Sequence, residues 1–300
     1  MKILVSGSSG LIGSALVDFL TARGHTVIRL IRSSSSSPSN TIVWNPESRE
    51  LDTRQLEGLD AVVHLAGENL STGRWTPEKK IRIAHSRVDY TRFLGEFLAR
   101  LQSPPTAWLC ASAIGYYGNR GDEVLREESA PGVGFLADLC RQWEAATEPA
   151  QGAGIRVALL RFGVVLSPAG GALAKMLPPF RWGLGGRLGD GKQYMSWITL
   201  ADAVGAIHHV LTQPELQGAV NVTAPHPVTN LEFTKTIGKI LSRPTLFSVP
   251  AFVLRCVMGE MANELLLAGA CVAPTRLIET GYVFQYPELE AALRGLLGKP

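Results

Sequence analysis

The stretch Ile3-Leu4-Val5-Ser6-Gly7-Ser8-Ser9-Gly10-Leu11-Ile12-Gly13 places three glycines in a G-x-x-G-x-x-G spacing directly after a short apolar run. That spacing points to anion binding. A helix that opens straight from a strand aims its free N–H groups and the positive end of its dipole at the turn, and phosphate is the usual guest. An ordinary tight turn is the alternative until the neighbouring elements decide. A second residue bears on the same chemistry. The run Val27-Ile28-Arg29-Leu30-Ile31-Arg32-Ser33 ends in a cation and a hydroxyl, and no carboxylate occurs between Asp18 and Glu47. A guanidinium matches a phosphate group bidentately, so Arg32, helped by Ser33, is a candidate phosphate clamp.

These residues need strands and helices to hold them. Apolar runs recur at Lys2–Val5, Thr26–Leu30, Ala61–Leu65, Ala107–Ala111, Arg156–Leu160 and Ala219–Val222, with helix-period segments between several of them. Alternation of this kind predicts βαβ units and a parallel sheet of the doubly wound, Rossmann type. Leu11 to Arg23 reads as the first helix, closed by Gly24, and Pro77 to Leu101 as a longer one, stopped by Pro104-Pro105. In that context the glycine loop reads as a dinucleotide site. An NAD site usually carries an acidic residue at the end of the second strand to bind the ribose 2′-hydroxyl. Here Arg32 stands there instead, which favours NADP(H).

The serine run Ser33–Ser37 before Pro38 reads as a surface loop. From Pro168 the texture turns rich in Gly and Pro, where a substrate-binding segment would begin. The predicted division is therefore a cofactor-binding domain over 1–167 and a substrate region with a small, mostly helical lobe over 168–300. Elements within about 196–223 would return to the core sheet. The apolar stretch Ala251 to Pro274, broken by Arg255, Glu260 and Glu264, reads as a buried or amphipathic helix rather than a membrane span.

Composition narrows the function. With 46% hydrophobic and 18% charged residues, the 300-residue chain is globular rather than disordered. A net charge of +3 without a Lys/Arg block makes nucleic acid a poor partner and a small molecule a better one. Cys110, Cys140, Cys256 and Cys271 form no C-x-x-C pair, which suits reduced thiols in a cytoplasmic protein and argues against a metal site. The first strand begins at once, leaving no room for a signal peptide.

Several motifs together resemble a known superfamily. GSSGLIG, HLAGE at 64–68, ASAIGYYG at 111–118, LRFGVVLSPAGG at 160–171 and SWITLADAVGAI at 196–207 are similar to the extended short-chain dehydrogenase/reductases. More narrowly they resemble the YfcH-like group of NAD-dependent epimerase/dehydratase family proteins, sometimes labelled cell division inhibitors. The resemblance covers essentially the whole chain. It implies Gly7, Ser9, Gly10, Leu11, Ile12 and Gly13 at the pyrophosphate, with Arg32 and Ser33 near the adenosine phosphate. It also implies Leu65, Ala66 and Gly67 along the cofactor, Arg87 facing it from the long helix, and Arg161, Gly163 and Val164 beside it after a later strand.

The catalytic pattern departs from that superfamily. Its members carry a Tyr-x-x-x-Lys pair on a helix, with a Ser or Thr at the end of a preceding strand. Ser112 matches the hydroxyl. Aligning Glu144 with the family's acidic residue puts Cys140 where the Lys would be and Leu136 where the Tyr would be. The substitute acids are Tyr116 and Tyr117 beside Ser112, with a packed aromatic corner as the alternative, and Arg120 could stabilise a phenolate. Lys175, Lys192 and Tyr194 could meet a substrate from the opposite side. Two readings stay open. One is an NADP(H)-dependent oxidoreductase or epimerase-like enzyme acting on a small polar or sugar-related substrate, possible as an oligomer. The other is a non-enzymatic NADP(H)-binding sensor or regulator with a degenerate site.

Overall fold

The computed structural model describes residues 1–32 and 40–299. Ser33 and the serine-run reading lie outside the described residues. The apolar runs read from the sequence form strands because short stretches of Val, Ile, Leu and Ala can be buried on both faces of a parallel sheet. In chain order come β1 (Lys2–Ser6), α1 (Leu11–Ala22), β2 (Thr26–Ile31), β3 (Thr41–Asn45), β4 (Glu50–Leu51), β5 (Ala61–His64) and α2 (Pro77–Leu98). They are followed by β6 (Ala107–Ala113), β7 (Val124–Leu125), α3 (Phe135–Ala145), α4 (Glu148–Gly152) and β8 (Arg156–Phe162). The chain then runs through β9 (Val164–Ser167), α5 (Gly171–Arg181), β10 (Gly186–Leu188), β11 (Tyr194–Met195), β12 (Trp197–Thr199) and α6 (Leu200–Thr212). It rejoins the sheet as β13 (Gly218–Val222).

The main sheet has the order β13-β8-β6-β5-β1-β2-β3-β4. Every pair in it is parallel except the β3–β4 hairpin. Helices α1 and α6 pack together, as do α2, α3 and α4. From β1 the chain moves to β2 on one side, while β5 lies on the other, so a crevice opens at the carboxyl ends of β1 and β5. Ligands of doubly wound sheets bind at such a switch point.

Three features differ from the sequence reading. Strand β3 went unread because its apolar run, Ile42-Val43-Trp44, is only three residues long; it is buried at every second position, Ile42 and Trp44. Trp44 nonetheless stacks on Phe93 of α2, ring centroids 5.8 Å apart, and closes that end of the core. The stretch 251–274 is not one helix. Gly259, at φ +63°, ends a short helix at Ala251–Met258, after which come a single turn, a π-helical turn at Asn263–Leu267 and a strand at Cys271–Val272 that pairs with β7. The last part of the chain is mostly helical, as expected, but it adds one strand, Phe247–Val249, that pairs with β10. Among the described residues, no helix is long and apolar enough to cross a membrane.

Candidate functional site

Gly7 sits at φ +65°, and a Cβ built there would stand 2.7 Å from the carbonyl carbon of Leu65 and 2.8 Å from the nitrogen of Ala66. A Cβ on Gly13 would stand 2.1 Å from the oxygen of Gly7. Both glycines are therefore needed for the turn to close against β5. Gly10 differs: its φ is −77°, and a Cβ there would meet only the Gly7 oxygen at 3.3 Å. A side chain at Gly10 would need the turn to give by a few tenths of an ångström, so this glycine is far less crowded than Gly7 or Gly13. Gly10 is also the N-cap of α1, and no side chain caps its N–H groups. The Ser14 hydroxyl donates back to the Gly10 oxygen at 2.8 Å instead. The dipole end is left facing outward for an anion.

A cavity of about 360 Å³ opens there. Of the residues expected at the cofactor, Gly7, Gly10, Leu11, Ile12, Gly13, Leu65 and Val164 line it; Ala111, Phe162, Val165, Gly171 and Ala172 join them without having been anticipated. Ser9 is exposed at the loop surface. Gly163 is a packing glycine, since a Cβ there would lie 2.6 Å from the Ser196 oxygen on the segment entering β12. Gly170 and Gly171 at the start of α5 let that helix come down on Leu11, whose methyl groups would lie 3.3 and 3.1 Å from their added Cβ atoms.

The two strands flanking the crevice are tied together by Ser6, a residue the sequence reading passed over. Its buried Oγ accepts from Leu65 N at 3.1 Å and Ala66 N at 3.3 Å, and it donates to His64 Nδ1 at 2.7 Å. Because Nδ1 is then an acceptor, the imidazole carries its hydrogen on Nε2. That nitrogen has no hydrogen-bond partner. The ring lies edge-on to Trp44 and Trp108, and burial pushes its pKa down to about 4. A neutral, caged histidine thus fixes where Leu65 and Ala66 stand.

At the carboxyl end of β6, α3 delivers Leu136 and Cys140 against Gly115, whose added Cβ would lie 3.2 Å from Leu136 Cβ and 3.8 Å from Cys140 Sγ. The helix occupies the place of a catalytic one but presents an apolar face. Burial pushes the Cys140 thiol up to about 12. Ser112 Oγ donates to Glu144 Oε1 at 2.7 Å, and Glu144 is held bidentately by Arg161, Nε to Oε1 and Nη2 to Oε2, both at 2.8 Å. Arg161 Nη1 also donates to the Tyr117 hydroxyl at 2.9 Å and to the Glu127 carbonyl at 3.0 Å.

Three of the expected roles change here. Tyr117 is fully buried, its hydroxyl donates to Asn221 Oδ1 at 2.7 Å, and burial pushes its pKa up to about 12. It has neither access nor a free proton for a substrate. Arg161 is 4% exposed, with its guanidinium spent on Glu144, Tyr117 and Glu127, so it braces the site from beneath instead of meeting the cofactor. Burial works against its charge, but the Glu144 pair more than offsets that and its pKa is raised. Arg120 pairs with Glu123 and is not available to a phenolate. Tyr116 remains. It is half-buried, the Arg161 guanidinium stacks 3.5 Å above its ring, and its hydroxyl has no hydrogen-bond partner among the described residues.

Toward the other end of the crevice, Arg32 is exposed where β2 leaves the sheet. Past β5, Glu68 pairs with the buried Lys79 at 2.5 Å, and Arg82 and Arg32 both act on that carboxylate electrostatically. The pair with Lys79 holds the Glu68 pKa below its usual range. Three cations thus surround one acid. Lys175 of α5 donates to Ser71 Oγ at 2.7 Å, tying α5 to the loop that follows β5. Lys192 is exposed and Tyr194 sits in β11, paired with Thr229.

Comparison with known proteins agrees with this geometry. Residues 3–223 match the NAD dependent epimerase/dehydratase family, and residues 249–296 match a domain of unknown function, DUF1731. The chain is 46% identical over 291 residues to an epimerase family protein of Mycobacterium bovis, covering 97% of this chain and 96% of that one. It is 37% identical to the epimerase family protein SDR39U1 of Homo sapiens, covering 99% and 100%. The crystal structure of human SDR39U1 (isoform2) with NADPH superposes with a TM-score of 0.92 at 36% identity, covering 99% of each chain. A UDP-glucose 4-epimerase from Thermotoga maritima, crystallised with UDP-glucose, superposes with a TM-score of 0.77 at 20% identity, a likeness of fold alone.

Proposed function

Because the chain belongs to the NAD dependent epimerase/dehydratase family, we propose that it binds NADP(H) along the carboxyl edge of its sheet and exchanges hydride with a small polar substrate. The observation that carries this reading is the uncapped N-terminus of α1 behind Gly10, an exposed glycine that is far less crowded than Gly7 or Gly13. That opening fits a pyrophosphate. Arg32, the first cation past β2, would take the 2′-phosphate, and Leu65 and Val164 would wall the crevice. The similarity to the NADPH-bound human protein supports the same assignment.

When bound, the cofactor supplies a hydride donor or acceptor. The chain's own residues then have to orient the substrate and move one proton. Tyr116 is the phenol left for that proton, because Tyr117 is sealed in and Ser112 is engaged by Glu144. That same engagement favours a second reading, NADP(H) binding without turnover, in which the locked corner serves regulation.

One experiment separates them. NADPH and NADH are titrated into the wild-type protein and into Arg32→Ala, and NADPH absorbance is then followed across a panel of small carbonyl compounds. NADPH should bind more tightly than NADH, and the substitution should narrow the gap by about 1–3 kcal/mol, the scale of a charge-assisted hydrogen bond. Equal curves for the two cofactors would remove the NADP(H) assignment. Tight NADPH binding with no turnover across the panel would select the regulatory reading.

A further inference from the structure

Trp182, Leu184, Leu246, Phe247 and Phe252 are each between 56% and 85% exposed. Single exposed apolar residues are ordinary, but neighbouring ones mark an interaction surface. These are neighbours. Gly186 of β10 pairs in parallel with Phe247, so the turn after α5 that carries Trp182 and Leu184 runs beside the loop that carries Leu246. Arg243 Nε donates to the Arg181 oxygen at 3.0 Å, and a Cβ added to Gly183 would lie 3.7 Å from the Pro244 ring, so the two segments touch along their length. Phe252 follows in the first turn of the helix Ala251–Met258.

The charge on these segments has one sign. Arg181, Arg187, Arg243 and Arg255 are all exposed, while no Asp or Glu occurs in 149–189 or in 233–259. Two of the acids that bound those stretches are spent, because Glu232 closes a capping box at Thr229 and Glu260 pairs with Lys80 at 2.9 Å. Among the described residues none of the four arginines makes an ion pair; Arg243 and Arg255 donate to a carbonyl and to Asn263 Oδ1, both neutral. A rim of unneutralised cations calls for an anionic occupant. A second copy docked about a two-fold axis would set this patch against itself, arginine facing arginine with no acid between them. A peptide groove would hold its apolar side chains partly buried, whereas these stand more than half exposed. Protruding Trp, Leu and Phe beside Arg is the composition that suits a lipid headgroup region, where guanidinium meets phosphate and the apolar tips reach the acyl boundary.

We propose that this face lies on an anionic lipid surface, with the arginines at the phosphates and Trp182, Leu184 and Leu246 inserted between headgroups. The association is peripheral and needs no spanning helix. It stands independently of the NADP(H) reading above.

The protein carries its own reporter. Of its six tryptophans Trp182 is 76% exposed and the other five are at most 9% exposed, so a change in emission on binding reads Trp182. Wild type, Trp182→Phe, Leu246→Ser and Arg243→Glu, each checked by a thermal melt, are mixed with vesicles of phosphatidylcholine alone and of phosphatidylcholine with phosphatidylglycerol, the latter also with brominated acyl chains. Wild type should float with the anionic vesicles and not with the neutral ones, with its emission shifted to the blue and quenched by bromine. Trp182→Phe should lose that signal. Leu246→Ser and Arg243→Glu should partition roughly tenfold or more weakly. If Arg243→Glu does not melt cooperatively, Arg187→Glu takes its place. Failure to float with anionic vesicles, flotation without a Trp182 signal, or variants that partition like wild type overturn the proposal. A Trp182 blue shift on polyglutamate but not on vesicles would assign the face to an acidic protein instead. A dimer that Leu246→Ser dissolves, in a protein that does not float, would assign it to a second copy.

Discussion

Glu144 of α3 and Arg161 of β8 form a two-pronged ion pair directly beneath Ser112, with both nitrogen–oxygen distances at 2.8 Å and little of either side chain exposed. The pair joins the helix that flanks the cofactor crevice to the strand that floors it. Removing one partner strands the other's charge in the interior, which typically costs about 3–5 kcal/mol. Glu144→Gln keeps the shape and one acceptor oxygen, so the expected loss is smaller than for Arg161→Met. Urea unfolding of both variants checks the order. Equal, negligible shifts would mean that the pair is not a brace.

The glycines divide into two kinds, and mutation should separate them. Gly13→Ala sets a Cβ 2.1 Å from the Gly7 oxygen and should lower the melting temperature. Gly10→Val meets only the Gly7 oxygen, 3.3 Å from its Cβ, and should lower the melt much less than Gly13→Ala while abolishing NADPH binding, because the side chain occupies the space in front of the α1 N-terminus. A Gly10→Val protein that still binds NADPH would show that the loop is a turn and no more.

The two adjacent tyrosines make opposite predictions. Tyr117→Phe deletes a hydroxyl that joins Asn221 to Arg161, so it should destabilise the protein by about 1–3 kcal/mol and leave any turnover rate close to wild type. Tyr116→Phe deletes a hydroxyl with no partner among the described residues, so stability should hold. On a substrate that turns over, its rate should fall by about 10²–10⁴-fold, the usual worth of a general acid, with NADPH affinity unchanged. A Tyr116→Phe enzyme as fast as wild type would send the proton to another group.

Much of this was legible in the chain because the signals are local. Gly7, Gly10 and Gly13 declare a strand-to-helix turn by spacing, and Arg32 stands out because no carboxylate competes with it for the end of β2. The failure of the dyad could also be read, since Leu136 and Cys140 do lie against the end of β6. What escaped depends on tertiary contact. Arg161 meets Tyr117 across 44 residues, and Ser6 meets His64 across 58. Nothing near any of them in sequence announces the partner. Tyr117 looks like a donor for the same reason, because a tyrosine beside a half-buried one carries no mark of its own burial.

His64 supplies a prediction on pH. In the folded protein its pKa falls to about 4 because the ring is wholly buried between Trp44 and Trp108, against an ordinary value of 6.5. The unfolded chain therefore binds a proton that the folded one refuses between these values, and stability rises with pH wherever the unfolded state binds more protons. The histidine's contribution is complete above pH 6.5 and is lost as the pH falls toward 4. The loss is roughly 3 kcal/mol, at about 1.4 kcal/mol for each tenfold difference in proton affinity between the folded and unfolded chains. His64→Asn removes the titrating group while leaving a polar side chain for Ser6. Unfolding free energies measured between pH 4 and 7 should show a slope in wild type that is much reduced in the variant, whatever the variant's overall stability. Parallel curves would assign the acid sensitivity to other groups, and His64 would then be a spacer for the Leu65–Ala66 wall rather than a proton-linked part of it.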